Sequence, residues 1–171
     1  MNAPLTMPAA PGGVTVRPAT RADVPLVVSM VRELAEYEKL LHAAEATDEH
    51  FKDALFGAQP RVFCDVALWN GDVGGLAVWF YNFSTFTGRC GIYLEDLYVR
   101  PPMRSHGLGK ALLRHLARRC LDEKLTRLDW SVLDWNTPAI DFYRAQGAEL
   151  LEDWTACRLS GEALTKLGER V

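Results

Sequence analysis

The chain has 171 residues, 49% of them hydrophobic, and a formal net charge of −3. That length suits one domain with a sizeable core, and the charge excludes a general nucleic-acid binder, which needs a basic surface. No apolar run approaches the roughly 18 residues of a membrane span. The N-terminus lacks the charged and apolar regions of a secretory signal, so neither membrane nor nucleic acid is an expected partner, and the cytoplasm is the expected location.

Residues 1 to 13, MNAPLTMPAAPGG, are rich in Pro, Ala and Gly and predict a flexible tail. Residues 14 to 171 are expected to form a single domain, because no repeat or linker divides them. Val14, Thr15 and Val16 make a short strand. Thr20-x-x-Asp23 is a variant capping box with a shorter acid at its fourth position. It predicts a helix to about Leu41, with Val24, Val27, Val28, Val31, Leu34 and Ala35 as its apolar stripe. Thr47 starts a second helix that runs to about Phe56. Strands are predicted over 62–69 and 73–81, joined at Asn70-Gly71, a pair that favours positive φ at both turn positions.

A further strand spans 90–99. Leu108, Leu112, Leu116 and Cys120, spaced by four, predict a helix to about Lys124 that packs on the sheet. Then come a strand over 127–133, a helix over 136–146 with Pro138 near its start and Gly147 at its end, a last strand over 149–159, and a terminal helical turn over 161–167. Hairpins followed by crossover helices predict an α/β fold with a mixed, mostly antiparallel sheet of six to seven strands flanked by helices.

Cys64, Cys90, Cys120 and Cys157 are scattered, with no C-x-x-C and no paired metal spacing. They read as reduced, mostly buried thiols. His106 has no companion ligands at a useful spacing, and no metal site is expected.

The chain is organised around residues 94 to 110, Leu94-Glu95-Asp96-Leu97-Tyr98-Val99, then Arg100-Pro101-Pro102-Met103, then Arg104-Ser105-His106-Gly107-Leu108-Gly109-Lys110. A strand, a glycine turn and a helix start together make an anion cradle: free backbone N–H groups and the positive end of the helix dipole meet there. Gly107 and Gly109 carry no Cβ, so a phosphate could approach the backbone. The spacing is neither G-x-G-x-x-G nor G-x-x-x-x-G-K-[ST], which disfavours a dinucleotide fold or an NTPase.

Arg104-x-x-Gly107-x-Gly109 closely resembles the pyrophosphate-binding motif of the GNAT superfamily of N-acetyltransferases. Arg17-Pro18-Ala19-Thr20, Glu33-Leu34-Ala35-Glu36-Tyr37-Glu38, Leu94 to Val99, and Trp135-Asn136-Thr137-Pro138-Ala139-Ile140-Asp141-Phe142-Tyr143 extend the likeness. They resemble the diamine branch (spermidine/spermine-type, thialysine-like) over residues 14 to 160. The resemblance implies a fold whose central strands, here 90–99 and 127–133, splay apart to admit acetyl-coenzyme A. It also implies a homodimer.

Within that resemblance the roles divide as follows. Main-chain groups of Leu97, Tyr98 and Val99 bind the pantetheine arm, and a backbone N–H there polarises the acetyl carbonyl. Arg104, Ser105, His106, Gly107, Leu108, Gly109 and Lys110 form the pyrophosphate loop, with the side-chain roles of Ser105 and His106 open. Asn136 binds the coenzyme near its pantetheine arm, although Asn also suits a helix N-cap. Tyr37, Glu38, Glu95 and Asp96 bind the acceptor.

Acetyl transfer needs a neutral amine. An alkylamine of pKa about 10.4 costs roughly 4–5 kcal/mol to deprotonate at pH 7, so a base helps. Glu95 and Asp96 are adjacent, and on a regular strand they point to opposite faces; only a bulge would let both face one site. The resemblance favours Glu95 as the base, directly or through water. Tyr143 is the expected donor to the leaving thiolate; full proton transfer from a free tyrosine would be uphill by roughly 2 kcal/mol. The acceptor is a small cationic primary amine: a diamine, a polyamine or a lysine-like amino acid. A non-catalytic acyl-coenzyme A sensor and a protein lysine acetyltransferase remain open alternatives.

Overall fold

Apolar strands with continuous buried runs at residues 64–67 and 74–79 build the sheet, which is covered on both faces. The computed structural model describes residues 13–169; of the expected tail only Gly13 falls among them. The strands are β1 (Val14–Pro18), β2 (Phe63–Trp69), β3 (Asp72–Ser84), β4 (Arg89–Val99) and β5 (Leu128–Trp130), neighbours in that order. The first four are antiparallel and β5 lies parallel to β4. At the β2–β3 turn Asn70 and Gly71 have φ of 51° and 95°, as their pairing predicts.

The sheet is mixed and mostly antiparallel, but it has five strands rather than six or seven. Residues 149 to 159 form no strand; Leu150 and Leu151 stand side by side where a half-buried strand would alternate. β5 stops at Trp130 because its pairing with β4 stops at Leu94, and a strand lasts only as long as its ladder.

The helices are α1 (Val24–Tyr37), α2 (Asp48–Phe56), α3 (Leu108–Asp122), α4 (Thr137–Arg144) and α5 (Gly161–Gly168). The chain divides after Ser131 into two compact units, the second holding α4 and α5. In the first unit, α1 and α2 cover one sheet face, where Val27, Met30, Leu55, Cys64, Val66, Leu76, Val78 and Tyr98 form a core. α3 covers the other face through Leu112, Leu116 and His115. Gly74 permits the approach of the β4–α3 connection, since a Cβ there would lie 2.6 Å from Met103 Cγ.

The capping box at Thr20 forms, although on a 3₁₀ turn over Arg21–Asp23 that leads into α1. Asp23 accepts 2.8 and 2.9 Å bonds from Arg17 and one from the Thr20 N–H. The Arg17 guanidinium holds the Asp23 carboxyl well below the usual carboxylate range.

α1 stops at Tyr37, earlier than Leu41. Lys39 takes φ of 62°, the Leu40 N–H donates to Ala35 O at 2.7 Å, and the Lys39 N–H donates to Glu36 O. This is a Schellman stop with lysine where glycine is usual. It leaves Glu38 at the helix end.

Candidate functional site

β4 is irregular where the chemistry was expected. Val78 pairs with Asp96 and the next residue, Trp79, pairs with Leu94, so Glu95 has no partner. Glu95 is the extra residue of a β-bulge, which bends a strand and re-aims its side chains. The opposite-face expectation for Glu95 and Asp96 is therefore corrected: both line one cavity of about 360 Å³. Val28, Val31, Arg32 and Ala35 of α1 and its C-cap Glu38 line it too, as does the 43–46 segment with Glu45.

The cavity gathers four carboxylates, Glu38, Glu45, Glu95 and Asp96. Burial pushes the Asp96 carboxyl up to about 6, aided by the negative charges of Glu95 and Glu38. Burial also raises Glu38 above the usual carboxylate range. Two like charges partly removed from water, Glu38 and Asp96, with Glu45 and Glu95 at the cavity's exposed side, favour a cationic occupant.

Asp96 also makes stability pH-dependent. Between its ordinary value of 3.8 and about 6, the folded chain holds a proton that the unfolded chain releases. Its contribution is therefore most favourable below that window and is lost as pH rises through it, by up to about 3 kcal/mol. Asp96→Asn should raise the denaturation midpoint at about pH 7 and leave it near the native value at about pH 4. A shift of equal size at both pH values would rule the titration out as its cause.

The same bulge opens the sheet. Leu97, Tyr98 and Val99 pair with Ala77, Leu76 and Gly75 of β3, whereas β5 pairs only with Ile92 to Leu94. The β5-facing backbone edge of residues 97–99 thus meets no strand among the described residues. This is the splayed pair that the fold expectation required. The Tyr98 side chain itself is core.

Beyond β4 a 3₁₀ turn at Pro101–Met103 leads into the loop. Ser105 and Gly107 have φ of 66° and 85°, and Gly107 is the N-cap of α3. Nothing lies within 4 Å of where a Gly107 Cβ would stand. The first helical hydrogen bond runs from Ala111 N–H to Gly107 O. The N–H groups of Leu108, Gly109 and Lys110 precede it and have no helical acceptor, so the open backbone cradle suits an anion.

The side chains around the cradle have other partners. Arg104 Nε donates to Val99 O at 3.0 Å, and its guanidinium lies 5.5 Å from the Tyr37 ring and 6.0 Å from the Tyr98 ring. It braces the loop against β4 and the end of α1. His106 stacks on Trp69 at 4.3 Å. Leu108 is buried, while Lys110 is exposed at the start of α3. Arg100 grips Glu33 through 2.6 and 3.0 Å bonds, fixing α1 to the end of β4.

In the second unit, Asn136 is the N-cap of α4, its side chain accepting from the Ala139 N–H. Tyr143 is buried. Gly147 at φ 90° ends the helix, with Ala148 N–H donating to Tyr143 O and Gly147 N–H to Arg144 O.

Sequence reasoning missed Arg32 and Glu45. Only the helical spacing of Arg32 from Val28 and Ala35 marked it as a neighbour of the cavity face, and Glu45 carried no signal. Among the described residues no cluster of His, Cys, Asp and Glu could hold a metal, and no helix is long and apolar enough to cross a membrane.

A mixed sheet splayed at a bulge, with an anion cradle at the following helix, defines an acyltransferase architecture. Residues 28–148 match the acetyltransferase (GNAT) family. Thialysine N-epsilon-acetyltransferase of Bos taurus is 36% identical over 165 residues, spanning 90% of this chain and 96% of that protein. An L-ornithine N5-acetyltransferase of Arabidopsis thaliana is 29% identical, spanning 87% and 85%. The solved structure of an integron cassette protein from the mobile metagenome of V. cholerae superposes with a TM-score of 0.77 at 26% identity, covering 92% and 98%. The chain belongs to the acetyltransferase (GNAT) family and is an N-acetyltransferase.

Proposed function

We propose that this enzyme acetylates a side-chain primary amine of a small cationic acceptor, a lysine- or ornithine-like amino acid, with acetyl-coenzyme A as donor in a ternary complex. The observation that carries the acceptor class is the bulge at Glu95, which brings Glu95 and Asp96 into one cavity with Glu38. The relatives' names, thialysine and ornithine acetyltransferases, favour an amino acid over a plain diamine.

The residues present fit acetyl-coenzyme A, which would supply an activated acetyl thioester. The open β4 edge at Leu97, Tyr98 and Val99 would hold the pantetheine arm by main-chain hydrogen bonds. The Arg104–Lys110 cradle would take the pyrophosphate on the N–H groups of Leu108, Gly109 and Lys110, and Asn136 would add a polar contact. Glu38 and Asp96 hold the acceptor's positive charge, with Tyr37 beside the brace at Arg104. Glu95 removes the proton that the amine must lose, directly or through water. Tyr143 keeps its proton at Oη and donates a hydrogen bond to the departing sulfur. Tyr143→Phe should lower kcat about a hundredfold while acetyl-coenzyme A binding, read by calorimetry, stays near native.

Coenzyme A release with putrescine, spermidine, thialysine, lysine and a lysine peptide tests the reading. Turnover of thialysine or lysine supports it, and turnover of putrescine or spermidine alone would move the acceptor to the diamines. Turnover of the peptide alone would replace it with protein lysine acetylation, and tight acetyl-coenzyme A binding without turnover would replace it with a sensor.

The proposal extends to residues 14 to 171 as one acetyltransferase domain, to a cytoplasmic location, and to a homodimer. All four cysteines are free thiols, which suits a reducing compartment. Trp154 is 76% exposed and Leu151, Leu164 and Leu167 are exposed with it, apolar surface of the kind that marks an interface. Light scattering should give the mass of two chains, and Trp154→Ser should shift it toward one.

A further inference from the structure

The cavity contains one cationic side chain, Arg32 of α1, among four carboxylates. None of these five side chains takes part in an ion pair among the described residues. The site therefore offers negative and positive groups that do not neutralise each other. An acceptor with only positive charges would satisfy Glu38 and Asp96 but would meet Arg32 as a like charge. An acceptor that also carries a carboxylate would satisfy both.

The spacing supports that division. Arg32 stands six residues before Glu38, the C-cap of α1, a rise of about 9 Å along the helix axis, so the two line the cavity at different levels. Glu38 and Asp96 are close enough for the charge of one to raise the proton affinity of the other, so they mark the amine end and Arg32 the far end. A guanidinium is also the side chain whose planar fork matches a carboxylate.

We propose that Arg32 binds the acceptor's α-carboxylate and so selects amino acids that carry a terminal amine over diamines of the same length. This rests on the acceptor assignment above and adds the residue that discriminates within it. Glu45, on the facing 43–46 segment, is placed to take the α-ammonium.

The test pairs acceptors that differ only in the carboxylate: L-lysine with cadaverine, and L-ornithine with putrescine. The native enzyme should favour the amino acid of each pair in kcat/KM. Arg32→Gln should lower kcat/KM for the amino acids about tenfold to a hundredfold, as loss of a hydrogen bond to a charged group does, mainly through KM. The values for the diamines should hold or rise, so that the preference narrows or inverts. Arg32 is exposed, so the variant should fold normally, with an unchanged KM for acetyl-coenzyme A, and Arg32→Lys should recover part of the preference. A native preference for diamines would overturn the proposal while leaving the acetyltransferase intact, as would an equal loss for both members of a pair in Arg32→Gln. Failure to acetylate any of the four would overturn the acceptor assignment itself.

Discussion

Glu95→Gln is expected to lower kcat by about 10²- to 10⁴-fold, the range that a positioned general base supplies, with acetyl-coenzyme A affinity unchanged. Glutamine has the shape of glutamate, so the cavity keeps its form and only the proton acceptor is lost. Glu95 is exposed and has no ladder partner, which leaves stability within about 0.5 kcal/mol of native. A second readout separates chemistry from binding. The negative charge of Glu95 helps to hold the Asp96 carboxyl up at about 6, so removing that charge lowers it. The pH at which acceptor KM worsens on acidification should then move down in the variant. A kcat within threefold of native would remove Glu95 as the base. Asp96→Asn would become the decisive variant, because a carboxylate of higher proton affinity is the stronger base.

Most of the fold was legible in the chain because its signals are local. Asn70-Gly71 names its own turn, Gly147 its own stop, and the fourfold spacing from Leu108 to Cys120 its own helix. The stop of α1 was not legible, because the left-handed position is held by Lys39 and only the tertiary setting compels a lysine to adopt it. The motif from Arg104 to Gly109 located the cradle but not its contacts: Arg104 bonds to Val99 O and His106 stacks on Trp69. The bulge was named as the one exception, but nothing in the sequence placed it at Glu95. Leu94-Glu95-Asp96 reads as an ordinary strand, and whether Glu95 pairs depends on Val78 and Trp79 across the ladder. The last strand failed for a related reason, since apolar residues at 149–159 indicate burial without naming a partner.

Asp65→Ala is expected to destabilise the protein by about 3 kcal/mol and to lower the melting temperature by roughly 6–12 °C for a chain of this size. Asp65 is 2% exposed on β2, on the face covered by α3. It accepts a 2.7 Å bond from Trp79 Nε1, and His115 Nε2 lies 3.3 Å from its other oxygen without hydrogen-bond geometry. The Trp79–Asp65 bond therefore carries most of the effect, and the imidazole packs beside the carboxylate. Truncation leaves a buried indole N–H without its acceptor and a cavity beneath α3. Arg119 sits 5.0 Å over the same indole ring and pairs with Glu123 at 3.0 Å, so disturbance of Trp79 reaches the C-terminal half of α3. The cluster lies on the sheet face opposite the carboxylate cavity. Below the new transition, acceptor KM and the kcat of the folded fraction should therefore stay near native. Replacing Asp65 and His115 together by leucine should cost less than the sum of the single changes, because apolar groups then face each other. Strict additivity would show that the two side chains do not act as a pair.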